Sequence, residues 1–335
     1  MALPTRTLGP LKVSAIGLGC MNLSQAYPPI PSDEDGGRLL NHALDAGVTF
    51  LDTAALYGDG HNERLLGSAV MHRRGEFTLA SKCVLDVVDG KRTLDGRPER
   101  IKATCEAALT RLRTDVIDLY YMHRLDRNVP IEESMGAMAD LVAEGKIRAI
   151  GLSEMSATTI ERAHAVHTVS AVQSEYSLVV RNPEVAVLET CRRLGIGFVP
   201  FSPVARGLLS EGVTHDRYEQ GDIRAAMPRF VGEKLAENLD RIAAFNRLAR
   251  EADRTPAQLA IGWLLAQGDD IVPIPGTRSI AHLDEDIAAT TIAFDSSVIA
   301  AAGALFPPNA LTGARYAAPM QAQIDTELLA HEELA

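Results

Sequence analysis

The stretch IKATCEAALTRLRTDVIDLYYMHR, residues 101–124, joins a helix pattern to a strand pattern. Apolar or small side chains recur in it with a spacing that places them on one helical face: Ile101, Cys105, Ala108, Leu109 and Leu112. The run at 116–120 is short, largely apolar and contains two β-branched residues, which is typical of a buried strand. The stretch therefore predicts an amphipathic helix that leads into a buried strand.

Similar short apolar runs alternate with helical patterns along most of the chain. They give eight candidate strands, at residues 15–18, 48–51, 77–80, 116–120, 147–150, 171–173, 197–201 and 271–274. Because a closed barrel leaves no strand edge exposed, eight strands alternating with helices favour an α/β fold of the (β/α)8 TIM-barrel type. An open, doubly wound parallel sheet is the alternative.

Turn-forming residues mark where several helices begin and end. Two dipeptides with a capping residue before proline predict helix starts: Thr255-Pro256 and Asn182-Pro183. Three glycines predict helix ends: Gly145, Gly195 and Gly268. This punctuation agrees with the hydrophobic periodicity.

Three segments lie outside the strand and helix repeat. Residues 5–14, with Gly9-Pro10 at their centre, predict a β-hairpin that plugs the barrel floor. A long loop after the seventh strand runs from Ser202 to about Arg254, with one helix expected after Glu233, and a tail forms the C-terminus. The length would allow two average domains, but no Pro/Ser-rich linker divides the chain. We therefore expect one domain spanning residues 1–335.

Composition argues against several classes of partner and location. With 44 acidic and 33 basic residues, the net charge is -11, which disfavours a broad nucleic-acid surface. The cysteines form no CxxC pair and no zinc-ligand cluster, which fits a reducing compartment and predicts no metal: Cys20, Cys83, Cys105 and Cys191. The N-terminus lacks a signal-peptide pattern, and the longest apolar stretch, around 259–266, is too short to span a bilayer. We expect a cytoplasmic protein without a membrane partner.

Polar side chains follow three consecutive predicted strands. Asp52 and Tyr57 come after the second strand, Lys82 after the third and His123 after the fourth. Each residue alone is more often a cap, a solvated charge or a packing residue. Because the carboxyl ends of barrel strands meet at one rim, their combination predicts a single catalytic site.

These four residue types suit the reduction of a carbonyl group. Hydride attack puts charge on the carbonyl oxygen, and the Tyr57 phenol can donate a proton there if its pKa, ordinarily near 10, is lowered. The ammonium of Lys82 favours the phenolate and so is expected to lower that pKa. Asp52 would hold Lys82 in place, and His123 would donate a hydrogen bond that orients the carbonyl.

The chain resembles the aldo-keto reductase superfamily along nearly its whole length. The matching catalytic segments are Asp52-Thr-Ala-x-x-Tyr57-Gly-x-Gly-x-Asn62-Glu63, the strand end at Lys82, and residues 117–124. The matching cofactor segments are residues 151–154, 173–176, 201–203 and 274–279. Residues 222–230 and 313–316 are similar to the branch that contains Yakc-like and perakine-reductase-like proteins. The resemblance implies a (β/α)8 barrel, NADPH/NADP+ as cofactor, and reversible reduction of an aldehyde or ketone to an alcohol.

The resemblance also implies how the cofactor is held. No GxGxxG motif follows a strand, so a Rossmann site is unsupported. In the family pattern, Ser153 and Gln173 bind the carboxamide and Phe201 stacks on the nicotinamide. The pyrophosphate path corresponds to Ser202, Pro203, Arg206, Gly207 and Leu208. The surroundings of the 2′-phosphate correspond to Gly276, Thr277, Arg278, Ser279, His282, Glu285 and Asp286. The alternative is that residues 276–279 form only a polar loop before the next helix and bind no phosphate.

Several positions depart from the commonest family pattern. Phe201 replaces a frequent tyrosine, and Glu154 stands where many members have asparagine. At the phosphate, Gly276, His282 and Asp286 replace frequent lysine, arginine and asparagine. These changes leave the phosphate chiefly to Arg278, with NADPH still favoured over NADH.

The substrate mouth is expected to form from residues at strand ends and beside the matched motifs: Met21, Leu56, Val84, Leu85, Arg124 and Tyr176. This largely apolar set favours a small-molecule aldehyde or ketone with an apolar or aromatic body. A strongly anionic substrate is disfavoured, although Arg124 leaves it open. We expect a monomer or weak homo-oligomer.

Two other functions are compatible with a barrel. One is a cofactor-binding regulatory subunit resembling the potassium channel β subunits. The other is a metal-dependent barrel hydrolase, which the absence of a His-x-His pair after the first strand disfavours.

Overall fold

Seven parallel strands form the central sheet of the computed structural model, which describes residues 3–88 and 91–335. In chain order they are β3 (Leu18–Gly19), β4 (Phe50–Asp52), β5 (Thr78–Cys83), β8 (Ile117–Met122), β9 (Ile147–Ser153), β10 (Val169–Glu175) and β11 (Gly197–Phe201). Each strand pairs in parallel with the next in this order. Two antiparallel hairpins lie outside the sheet, β1 (Thr5–Leu8) with β2 (Leu11–Ser14), and β6 (Leu85–Val88) with β7 (Lys91–Leu94).

The eighth predicted strand closes the barrel without forming a regular strand. On one side Val272 N donates to Phe198 O at 2.8 Å, and on the other Gly17 N donates to Pro273 O at 2.9 Å. Pro273 and Pro275 accept hydrogen bonds from the β3 side but have no N–H to return, so half of that ladder is missing. The predicted (β/α)8 barrel is confirmed, with its last strand reduced to two isolated bridges. The first strand is also shorter and later than predicted, at Leu18–Gly19.

Helices surround the barrel. They are α1 (Asp33–Asp45), α2 (His61–Ala69), α3 (Pro98–Leu112), α4 (Ile131–Ala143), α5 (Ala157–Val166), α6 (Val187–Leu194), α7 (Gly232–Glu251), α8 (Pro256–Leu265), α9 (Ile280–Ala288), α10 (Ser296–Leu305) and α11 (Ala318–Gln321). The predicted apolar face of α3 is buried along its length. The helix expected in the long loop after β11 is α7.

The predicted helix punctuation is correct at most positions. Thr255 caps α8 through a capping box with Gln258, and Gly145 and Gly195 follow helix ends with positive φ. The helix start predicted at Asn182-Pro183 is confirmed only as a short 3₁₀ helix, Asn182–Glu184, which Asn182 does not cap, and α6 begins at Val187. The Asn182 side chain instead donates to the carbonyl oxygen of Glu327 in the C-terminal tail, at 3.0 Å.

The N-terminal hairpin closes the barrel floor, as predicted. Leu8 and Val13 are buried in the cluster that fills the barrel interior, together with Phe50 and Tyr121. A Cβ atom on Gly197 would lie 2.5 Å from the Leu8 side chain, so only glycine lets the plug sit this deep. The floor is therefore packed, and the cavity opens at the opposite rim.

The four cysteines are buried and free. Within residues 3–88 and 91–335, no helix combines the length and apolar character needed to cross a membrane.

Candidate active site

A cavity of about 770 Å³ opens at the carboxyl ends of the barrel strands. Strand ends and the loop after β4 supply the tyrosine part of this cavity, defined by Asp52, Tyr57, His123 and Arg124. The loop before α9 and the start of that helix supply the phosphate-loop part, residues 276–286. One cavity thus contains residues from both the predicted catalytic and the predicted cofactor sets.

Lys82 organises the tyrosine part from below. Its buried ammonium forms an ion pair with Asp52 and donates to Thr53 O at 2.9 Å and Tyr57 Oη at 3.1 Å. Asp52 also accepts from Gln173 Nε2 at 2.8 Å. All three ammonium protons have acceptors, which is the condition under which a buried charge pair is tolerated. Because the Tyr57 oxygen accepts from Lys82, its own proton remains available for donation.

The loop after β4 carries Tyr57 into the cavity wall. Gly58 and Gly60 adopt positive φ angles there, at 59° and 73°, which turn the chain into α2. The buried side chain of Asn62 ties the loop down, donating to Cys20 O at 2.8 Å and accepting from Thr53 Oγ1 at 2.6 Å. Asn62 thus explains why the asparagine of the matched motif is needed five residues after the tyrosine.

The pKa of Tyr57 is raised, contrary to the expected lowering. Burial raises it and the charge of Asp52 adds to that effect, while Lys82 and, more weakly, Arg124 oppose it. The expectation was wrong because it counted the charge of Lys82 without the loss of water around the phenol. Burial also acts to lower the pKa of Lys82, but Asp52 and Tyr57 raise it above its ordinary value. At neutral pH the pair is a phenol beside an ammonium.

His123 faces Tyr57 across the cavity wall. The two rings meet edge to face, with centroids 5.9 Å apart and an interplanar angle of 83°. Burial, followed by the charges of Arg124, Lys82 and Arg92, holds the pKa of His123 well below its ordinary value. The imidazole is therefore neutral and keeps one N–H donor.

Three of the predicted nicotinamide residues line the cavity beside this group. Gln173 is fixed by Asp52, and Ser153 Oγ accepts from Arg124 Nη1 at 3.3 Å. Phe201 is half-buried at the end of β11. Glu154, in contrast, turns away and forms a buried ion pair with Arg315 at 2.7 Å.

The start of the long loop is held in an unusual backbone conformation. Ser202, Ala205 and Arg206 have φ angles of 51°, 49° and 56°, and Gly207 follows at 98°. Non-glycine residues in this region are strained and persist only when the surroundings hold them. Leu208 provides part of that support, because its side chain is buried in the core. It is not among the described residues that line the cavity.

Arg206 belongs to a buried network at the cavity wall. It donates to Glu175 at 3.0 Å and to Tyr316 Oη at 2.8 Å, and Tyr316 donates to the same carboxylate at 2.6 Å. The Glu175 carboxylate has a lowered pKa: burial alone would raise it, but Arg206 and Arg315 outweigh burial. The strained loop is therefore joined to the C-terminal tail.

The phosphate-loop part is more open. Arg278 is exposed and donates to the carbonyl oxygen of Pro29. Ser279 caps α9 by accepting from His282 N at 3.4 Å, so the segment does open a helix while it lines the cavity. Gly276 has no room for a side chain, since a Cβ atom would lie 2.9 Å from Gly19 O.

Two carboxylates accompany Arg278 in this part of the cavity. Asp286 is buried, and this burial, reinforced by the charge of Glu285, raises its pKa to about 8. Asp286 is therefore largely protonated at neutral pH and resembles the asparagine that is frequent at this position.

Three of the residues predicted for the substrate mouth lie outside the described cavity lining. Met21, Leu56 and Arg124 line the cavity, but Val84, Leu85 and Tyr176 are absent from its described lining. Tyr176 is buried against Phe198 and Trp263, and its hydroxyl donates to Glu184 at 2.7 Å. Side chains alternate between the two faces of a strand, so a position near a strand end does not ensure that the side chain faces the cavity.

Sequence reasoning missed several cavity residues, among them two charged or hydroxyl-bearing side chains that come from remote segments. Arg92 lies on β7, and Tyr316 lies in the C-terminal tail. Tyr316 stands in a segment already singled out by its motif, residues 313–316, whereas Arg92 belongs to no matched motif.

Comparisons with known proteins agree with this geometry. The model of the aldo/keto reductase family matches residues 15–305. This chain belongs to the aldo/keto reductase family. A curated relative, probable aldo-keto reductase 1 of Glycine max, is 41% identical over 313 residues, which is 91% of this chain and 89% of that protein.

Solved structures of the family have the same fold. Aldo-keto reductase AKR11C1 from Bacillus halodurans, in a holo form, is 27% identical with a TM-score of 0.75, covering 92% of this chain and 97% of that chain. Glycerol dehydrogenase AKR11B4 from Gluconobacter oxydans is 25% identical with a TM-score of 0.82, covering both chains completely.

Proposed function

We propose that this protein is an NADP(H)-dependent oxidoreductase that reversibly reduces an aldehyde or ketone to an alcohol. The observation that carries the proposal is the contact between Lys82 Nζ and Tyr57 Oη, in the wall of a cavity large enough for a ligand. Family membership supports the reaction class.

The cavity residues fit a nicotinamide dinucleotide. Phe201 offers an aromatic face in the same cavity as Gln173 and Ser153. Gly276 and Gly19 lie close together without side chains, so the cavity wall beside Arg278 is formed by their backbone atoms. Arg278 has no carboxylate within 4.0 Å among the described residues, and its planar fork suits a phosphate. We assign it to the 2′-phosphate, with Thr277 and Ser279 beside it. The bound cofactor supplies the hydride.

The protein residues manage the proton and the developing charge. Tyr57 donates its proton to the carbonyl oxygen, and the nearby ammonium of Lys82 stabilises the phenolate that remains. Asp52 fixes Lys82 and keeps it charged, while neutral His123 donates a hydrogen bond to the carbonyl. In the reverse direction the Tyr57 phenolate takes the proton back from the alcohol.

The test is an absorbance assay of NADPH consumption over a panel of aldehydes and ketones, with NADH run in parallel. We expect carbonyl-dependent oxidation of NADPH that exceeds the rate with NADH. Tight binding of NADPH without turnover on the whole panel would contradict the proposal and favour a regulatory subunit.

The free, buried cysteines support our assignment of this single-domain enzyme to the cytoplasm.

A further inference from the structure

Two arginines face the tyrosine part of the cavity without an acidic partner among the residues that the structure describes. Arg124 and Arg92 both line it together with Tyr57 and His123. An ion pair requires a carboxylate oxygen within 4.0 Å of the guanidinium. Among residues 3–88 and 91–335, neither arginine has one. The acid of the tyrosine part, Asp52, is already bound by Lys82 and Gln173.

Arg124 is the more unusual of the two. The residue is 8% exposed, and its hydrogen bonds both come from Nη1, to His123 O at 2.6 Å and Ser153 Oγ at 3.3 Å. Arginine is almost never this buried unless it is paired. The carbonyl oxygen of His123 therefore orients the Arg124 guanidinium toward the cavity but does not neutralise its charge.

Arg92 approaches from a different element. It lies on β7, opposite Val87 of β6, in the hairpin between β5 and α3, and it is exposed at the cavity mouth. Burial and then the charge of Arg124 lower its pKa, while Tyr316 and Tyr57 act in the other direction. The two like charges therefore repel one another, and an anion bound by both would offset that repulsion.

Other arginines of the same cavity are neutralised by the protein itself. Arg206 is paired with Glu175 at 3.0 Å, and Arg224 with Asp222 at 2.7 Å. The contrast shows that the fold can place a carboxylate beside a cavity arginine. Within the described part of the chain, Arg92 and Arg124 have no such carboxylate beside the proton donor.

We propose that the substrate carries an anionic group, a carboxylate or a phosphate, which Arg124 and Arg92 bind while its carbonyl faces Tyr57 and His123. This inference rests on the proposed function and specifies its substrate class. The hydride still goes to the carbonyl carbon and the Tyr57 proton to the oxygen, so the anionic group takes no part in the chemistry. It revises the expectation that a strongly anionic substrate is disfavoured, a point that Arg124 had left open.

The test compares matched pairs of carbonyl compounds with NADPH. The carboxylate pair is 4-formylbenzoate and its neutral methyl ester, and the phosphate pair is glyceraldehyde 3-phosphate and glyceraldehyde. We expect kcat/KM for the anionic member of at least one pair to exceed that of its neutral partner about tenfold or more, as a charge-assisted hydrogen bond allows. The pair with the larger ratio identifies the anion.

Variants of the two arginines test whether they cause the preference for the anionic compound. Arg92→Gln and Arg124→Gln should each lower the ratio of anionic to neutral kcat/KM severalfold, mainly through KM. Arg97→Gln, at an exposed position paired with Asp95, should leave the ratio unchanged. Arg92 is exposed, so its variant is expected to fold even if the Arg124 variant does not.

The outcomes separate this inference from the proposed function. Equal kcat/KM within both pairs, or a preference that survives in Arg92→Gln and in a folded Arg124→Gln variant, would overturn the anionic substrate alone. Failure to oxidise NADPH with every carbonyl compound, charged or neutral, would overturn the proposed function as well.

Discussion

The two parts of the cavity are built in opposite ways. In the tyrosine part, Lys82 and Asp52 are fully buried, paired and hydrogen-bonded before any ligand arrives. In the phosphate-loop part, Arg278 is exposed and, among the described residues, donates a hydrogen bond only to a backbone carbonyl group. The comparison indicates that the proton-transfer group is preorganised, whereas the phosphate contact forms when the cofactor binds.

The largest effect is expected from breaking the buried pair. Lys82→Met removes the stabilising charge beside Tyr57 and leaves Asp52 buried without a cation. We expect a loss of kcat of about 10² to 10⁴ and of roughly 3–5 kcal/mol in the free energy of unfolding. Steady-state kinetics and urea denaturation measure the two effects.

A double variant separates stability from catalysis. Asp52→Asn combined with Lys82→Met removes both charges, so it should recover much of the lost stability while activity stays low. Recovery of activity together with stability would show that Lys82 has only a structural role.

A smaller effect is expected in the open part of the cavity. Arg278→Ala should raise the Kd for NADPH by about tenfold to a hundredfold, the range of a charge-assisted hydrogen bond, and leave the Kd for NADH nearly unchanged. Fluorescence titration measures both constants, and Arg38→Ala, an exposed arginine outside the cavity, is the control. Equal affinity of the wild type for NADPH and NADH would contradict this assignment.

The smallest functional effect concerns Asp286, which should influence stability more than turnover. Its folded pKa of about 8 lies above the ordinary value of 3.8, so the folded protein holds a proton that the unfolded chain has lost in this range. Unfolding releases that proton, and stability therefore falls as pH rises from about 4 to about 8, by at most about 1.4 kcal/mol per pH unit.

Asp286→Asn should remove this dependence. Urea denaturation of the cofactor-free protein from pH 5 to 8 should show the stability of wild type falling relative to the variant as pH rises. Parallel pH profiles for the two proteins would mean that Asp286 is ionised in the folded state.

Much of the fold follows from local patterns. The buried face of α3 and the capping box at Thr255 depend on residues close together in sequence, and the periodicity and capping rules find them. The eighth strand was predicted by its apolar run, but the prolines at 273 and 275 reduced its ladder. Asn182 caps no helix; its side-chain amide donates to Glu327 and Glu332 of the C-terminal tail, contacts that no local pattern predicts.

The candidate site also contains residues that the sequence pattern predicts and contacts that it does not predict. Asp52, Tyr57 and Lys82 follow adjacent strands, so barrel geometry alone places them together. Contacts such as Glu154 with Arg315, or Arg206 with Tyr316, join segments more than a hundred residues apart and carry no local signal. Arg92 was missed because it belongs to no matched motif, and only the folded hairpin brings it to the cavity.

The central claim is that Tyr57, held beside Lys82, donates the proton during carbonyl reduction. The most direct measurement compares kcat for aldehyde-dependent NADPH oxidation in wild type, Tyr57→Phe and Tyr176→Phe. The two variants each remove one tyrosine hydroxyl, but Tyr176 is absent from the described cavity lining. The account predicts that Tyr57→Phe lowers kcat by about 10² to 10⁴, whereas Tyr176→Phe stays near the wild-type value. Tyr57→Phe with wild-type kcat would contradict the account.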